Sequence, residues 1–132
     1  MAIDHLALSM ATGIPPSGRI RLGIVGRHAV FDVCIARVFL ARLKGWMLRR
    51  AEVATTGLWL IPCDAIHTFF MRFEIDVLFL DANRQIIVVD HRVKPWRIRA
   101  CFDATSVIEL PAGRASALSL AVGDRLEIRG QS

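Results

Sequence analysis

A chain of 132 residues, 54% hydrophobic and 22% charged, fits one domain around one core and excludes wholesale disorder. No apolar run reaches the roughly 18 residues of a membrane-spanning helix. The net charge of +5, from 17 Lys and Arg against 12 Asp and Glu, leaves an anionic partner open without requiring one.

The opening segment from Met1 to Gly18 has no Lys or Arg before its apolar patch Leu6-Ala7-Leu8, so it lacks the charged start of a secretory signal. It reads as an irregular arm, set off by Ile14-Pro15-Pro16-Ser17-Gly18, with a single β-rich domain over 19–132. Cys34, Cys63 and Cys101 make an odd count without an export signal, which predicts reduced thiols in a cytoplasm. Their simplest role is as small buried hydrophobes.

Ile20, Leu22 and Ile24 alternate with Arg19, Arg21 and Gly23, the pattern of a strand with one wet face. Val30 to Ile35 reads as a second strand. Between Ala36 and Trp46 the spacing of Val38, Phe39, Leu43 and Trp46 predicts a short helix with a basic face. Gly57 to Ile61 is a strand stopped by Pro62, whose missing N–H cannot join a central ladder.

The densest run of strand formers lies between Ile66 and Val93. Thr68 to Phe73 and Ile75 to Leu80 carry the aromatic and β-branched residues that fit a pleated surface. Asp81-Ala82-Asn83-Arg84 then breaks the pattern before Ile86-Ile87-Val88-Val89, which predicts a hairpin. With Arg84 in the left-handed region, Leu80 faces Ile86, Leu78 faces Val88, and Asp76 faces Asp90. Ile75, Val77, Phe79, Ile87 and Val89 then share one side, and Leu78, Leu80, Ile86 and Val88 the other. Since both sides are apolar, the hairpin belongs inside a sandwich or barrel.

Lys94 to Asp103 reads as a long connection, and Thr105 to Leu110 as a strand. After Pro111-Ala112-Gly113, Arg114 to Leu120 predicts a two-turn helix burying Leu118, and Arg125 to Ile128 a last strand. The expected fold is mainly β with a minor helical part: one compact sandwich or barrel-like domain with one or two short helices.

Several blocks together resemble the bacterial and archaeal domain of unknown function 192 family. They are Arg42 to Leu48 (RLKGWML), Ile66 to Met71 leading into Ile75 to Asp81, Val107 to Gly113, and Gly123-Asp124. The resemblance spans Val30 to Ile128 and implies a β-sandwich or barrel-like fold with no established activity. Phe70-Met71-Arg72-Phe73 stands where the commoner family pattern has Trp-Met-Lys-Asn. Many relatives carry an export signal, and none is evident here.

Three constellations could carry chemistry. Asp76 and Asp90, if opposed, would share a proton or recruit Arg72 or Arg92, and with His67 they are the residues a hydrolase would use. The plainer alternative is that Asp76 accepts backbone hydrogen bonds and fixes how the hairpin enters the sheet. Cys63, His67, His91 and Cys101 are zinc-binding types, but on one strand Cys63 and His67 would stand about 13 Å apart at roughly 3.3 Å per residue, so no metal or other cofactor is expected. Neither is a thiol nucleophile with a histidine base. Arg92, Lys94, Arg97 and Arg99, interleaved with Trp96 and Phe102, have the makings of a single-strand nucleic-acid groove, although a solvated loop is the commoner use of such a segment.

No Walker A loop, dinucleotide fingerprint or nucleophile elbow is present. The expectation that follows is a non-catalytic module whose rim, at His67, Arg72, Asp76, Trp96 and Arg97, receives a small anionic ligand or an extended peptide. Nucleic acid is the weaker partner, and oligomeric state is left open.

Overall fold

The computed structural model describes residues 14–15, 18–37 and 56–131. The helix expected within 36–46 and the arm before Ile14 lie largely or wholly outside them. Nine strands are described: β1 (Gly18–Ile24), β2 (Val30–Arg37), β3 (Leu58–Ile61), β4 (Ala65–His67), β5 (Ile75–Leu80), β6 (Ile86–Val93), β7 (Ile98–Ala100), β8 (Ser106–Pro111) and β9 (Leu126–Gln131). One helical turn, α1 (Arg114–Ala117), joins β8 to β9. Ala36 and Arg37 continue β2 instead of opening a helix.

Seven strands form one sheet in the order β6-β5-β8-β3-β2-β1-β9, and β4 pairs with β7 in a separate ribbon. β2 and β3 run parallel, and every other named pair is antiparallel. The two outer strands of the large sheet approach each other at a Gln85–Arg125 bridge. There the Ile86 N–H donates to the Asp124 carbonyl at 2.8 Å and the Leu126 N–H to the Arg84 carbonyl at 2.9 Å. The sheet is thereby curled most of the way to a barrel, and its outer strands are partly covered where they meet.

Two apolar clusters lie on opposite sides of this sheet. The inner one gathers Ile20, Leu22, Ile24, Phe31, Trp59, Leu78, Leu80, Ile86 and Leu126. Ile14 is buried against it, so the described end of the arm packs on the domain. The outer cluster gathers Leu58, Leu60, Ile75, Val77, Phe79, Val93 and Val107, and takes Ile66 and Met71 from in and beside β4. The small ribbon therefore serves as a cover for the outer side of the large sheet.

β5 lies between β6 and β8, and all six of its residues are buried. This bears out the expectation of two shielded sides for β5 alone; β6 is an outer strand of the sheet, and its Ile87, Val88 and Val89 are only half-buried. The register departs from the expected one. Leu80 does face Ile86, and Arg84 is left-handed with φ of 62°. An extra residue at Ile87 then shifts the ladder, so Phe79 faces Val88 and Leu78 faces Val89. Val88 consequently joins the outer cluster and Val89 the inner one, the reverse of the expected assignment.

A second bulge brings Val77 opposite Asp90 and Ile75 opposite Val93. Asp76 and Asp90 do not oppose each other.

Two further expectations are corrected. Only Ala65–His67 is strand in the region before β5, and residues 68–74 are irregular, because Thr68 turns the chain with its side chain. The helix after Gly113 has a single turn and buries Ala115, with Leu118 half-buried and Leu120 buried beyond it.

Candidate functional site

Thr68 sits immediately after β4 and is completely buried. Its hydroxyl donates to the Lys94 carbonyl at 2.7 Å and accepts from the Arg97 N–H at 2.9 Å. Its own N–H donates to the Arg97 carbonyl at 2.8 Å, while its carbonyl accepts from the Trp96 N–H at 3.0 Å and the Met71 N–H at 3.2 Å. One threonine thus clasps the 94–97 turn to the 68–71 turn. A buried hydroxyl with both donor and acceptor satisfied is a rigid fastening.

The clasp presents a group of rings. His67 stacks on Phe69 with centroids 4.7 Å apart, Phe69 on Trp96 at 5.6 Å, and Phe70 meets Trp96 at 4.6 Å with the planes tilted 60°. The His67 Nδ1 accepts the Phe69 N–H at 3.3 Å, which puts the proton of the neutral ring on Nε2. Despite these contacts Phe70 and Trp96 remain 51% and 55% exposed. Both also have left-handed backbone, with φ of 65° and 64°. Bulky residues seldom adopt that conformation, which costs on the order of 1 kcal/mol or more for each.

Exposed cations belong to the same two loop segments as the rings. Arg72, Lys94 and Arg97 are exposed, and Arg97 curls back so that its Nη1 donates to the Pro95 carbonyl at 3.3 Å. Arg92 and Arg99 are drawn into ion pairs, 3.8 Å from Glu74 and 3.8 Å from Asp90. Two of the four charges in the basic segment are therefore already opposed by carboxylates. Trp96 and Phe102 stand before and after β7, at opposite ends of it.

Of the five predicted rim residues, His67, Trp96 and Arg97 come together, and Arg72 stands exposed in the same 68–74 loop. Asp76 is elsewhere. It is completely buried, and its Oδ1 accepts the N–H of the bulged Arg92 at 2.9 Å while Oδ2 accepts the Ala115 N–H at 2.9 Å. Both oxygens are thus used in fixing the β6 bulge and the start of α1. The carboxylate pair required for acid and base chemistry is not formed, since Asp90 lies opposite Val77 and beside Arg99.

Among the described residues no group of three or more His, Cys, Asp or Glu could hold a metal ion. Cys63 and Cys101 are half-buried thiols at the far end of the ribbon, where the Cys63 thiol donates to the Ala65 carbonyl at 3.1 Å and the Cys101 N–H to the Asp64 carbonyl at 2.8 Å. No described helix is long and apolar enough to cross a membrane.

Sequence reasoning missed Thr68, Phe69 and Phe70 as parts of the site. Their β-branched and aromatic character is also what a strand would carry. A Thr-Phe-Phe string followed by Met71-Arg72 breaks alternation, and that was the available signal.

Comparison with known proteins extends the resemblance noted above. UPF0127 protein PF1050 of Pyrococcus furiosus is 37% identical over 109 residues, covering 77% of this chain and 90% of the relative. UPF0127 protein PYRAB11210 of Pyrococcus abyssi is 37% identical over 99 residues, covering 70% and 82%. A crystal structure of a Sinorhizobium meliloti protein, provisionally described as a transcription regulator, shares the fold with a TM-score of 0.70 and 23% identity over 85% of this chain and 95% of that one. A protein of unknown function from Novosphingobium aromaticivorans does so with a TM-score of 0.67 and 18% identity over 83% and 84%. With the family model matching residues 21–128, the chain belongs to the DUF192 family, described as "Uncharacterized ACR, COG1430".

Proposed function

We propose that the protein is a non-catalytic binding module that receives a small anionic ligand with a planar apolar body on the rings around Trp96. The observation that carries this is the pairing of Phe70 and Trp96: both half-exposed, both on left-handed backbone, and both in turns closed by hydrogen bonds to buried Thr68. Backbone strain and exposed apolar area each disfavour the free protein, and they coincide where rings are presented for contact. Arg72, Lys94 and Arg97 supply positive charge beside those rings, so the ligand's charge is negative.

A small ligand is favoured over a nucleic-acid strand because Arg92 and Arg99 are taken up by Glu74 and Asp90, leaving few cations to track a phosphate backbone. The cytoplasm, where an odd number of thiols stays reduced, is the proposed setting.

Titration with 2-naphthoate tests the reading by ligand-observed NMR. Saturable binding should appear, fall at least about tenfold in Trp96→Ala and more modestly in Arg97→Gln, with both variants folded. Equal binding to Trp96→Ala, or none to the unmodified protein, would refute it.

A further inference from the structure

A second basic feature lies away from the aromatic rim. Arg19 and Arg21 project from β1 on the side opposite buried Ile20 and Leu22, and Arg114 opens α1. These three arginines line one open groove of about 320 Å³ together with Asp32 and Thr56. That volume is near the lower end for small-molecule sites, roughly 300 Å³, and exceeds what a bare inorganic ion needs.

Its charges do not cancel. Asp32 is the carboxylate of the groove, and it is committed to Arg21 by a 3.0 Å contact from Nε to Oδ1 across the β1–β2 ladder. Hydrogen bonding to Asp32, then its charge, holds Arg21 above the usual arginine pKa. Among the described residues Arg19 has a neutral partner, the Thr56 hydroxyl at 3.2 Å, and no carboxylate within ion-pair reach. Arg114 has no carboxylate within ion-pair reach among the described residues. Its backbone is nevertheless fixed, since the next residue, Ala115, is completely buried and gives its N–H to Asp76.

Two guanidinium groups from separate elements, neither paired with a carboxylate among the described residues, thus line an open groove whose exposed surface is mostly polar. We propose that this groove binds the phosphoryl group of a small phosphomonoester through Arg19 and Arg114. Planar guanidinium forks match a phosphoryl group's oxygens and charge. Asp32 neutralises Arg21 and sets an upper limit on how strongly an anion is held.

Calorimetry at low salt with phenyl phosphate as the probe tests this, with inorganic phosphate and phenol as controls. Phenyl phosphate and inorganic phosphate should both bind saturably, and phenol should not. Arg19→Gln and Arg114→Gln should each weaken it about tenfold, the loss expected for one charge-assisted contact. Asp32→Asn should tighten it by roughly threefold, because a nearby negative charge is removed. Arg125→Gln, a surface control, should leave it unchanged, with thermal melts checking that each variant folds.

Absence of saturable binding overturns the proposal. So does equal loss in Arg125→Gln, which would indicate nonspecific attraction, or weaker binding in Asp32→Asn. If Trp96→Ala abolishes phenyl phosphate binding, the anion sits on the aromatic rim; this inference then fails while the rim reading stands.

Discussion

The corner around Asp76 and the ribbon around Trp96 are built from similar materials and end in opposite states. At the corner a carboxylate is fully buried with both oxygens taken by backbone N–H groups, and every neighbouring residue of β5 is buried. At the ribbon a buried threonine makes an equally complete set of hydrogen bonds, yet what it holds up is exposed and on left-handed backbone. In the first case polar satisfaction closes a structure. In the second it supports an exposed apolar surface on left-handed backbone, the combination from which ligand binding is proposed.

The contrast can be broken by substitution. Phe79→Ala, in the outer cluster beneath the ribbon, removes a completely buried ring and should cost about 4 kcal/mol in denaturant unfolding. Asp76→Asn keeps the volume but replaces a charged double acceptor, turning an amide N–H₂ toward a backbone donor. A loss of about 3 kcal/mol is expected, a fall of roughly 10 °C in Tm. Little destabilisation by Asp76→Asn would mean that the corner is not the fastening described.

At the ribbon the expected losses are smaller. Thr68→Val preserves shape and deletes the hydroxyl, stranding the Arg97 N–H and the Lys94 carbonyl. It should cost about 2 kcal/mol, and hydrogen exchange should quicken at Trp96 and Arg97 before it does in β5. Trp96→Gly has the smallest effect on stability, within about 1 kcal/mol of the parent, because relief of the left-handed backbone offsets lost ring contacts. The same change should abolish 2-naphthoate binding.

Much of the large sheet was legible because its signal is alternation. Ile20, Leu22 and Ile24 point inward as their spacing predicts, and the Arg84 turn with its Leu80–Ile86 pair follows from loop length. The two bulges in β6 were not legible. An inserted residue changes which side Val88 and Val89 face without altering composition, and the Asp76 carboxylate that holds Arg92 at the second bulge comes from another strand.

The site was half legible for a related reason. His67, Trp96 and Arg97 could be named as rim residues by chemical type, but the role of Thr68 depends on where residues 94–97 return in space. Phe69 and Phe70 looked like strand because a fastening turn and a pleated strand favour the same side chains. Asp76 was assigned to the rim on an inferred register that the bulge overturns.

The most direct test sets Trp96→Ala and Asp76→Asn side by side, reading 2-naphthoate affinity and melting temperature on each. Trp96→Ala should lose affinity at least about tenfold with its melting temperature nearly unchanged, whereas Asp76→Asn should melt far earlier and, while still folded, bind almost normally. The reverse pattern, with affinity surviving the loss of the indole and vanishing with the carboxylate in a folded protein, would contradict the account.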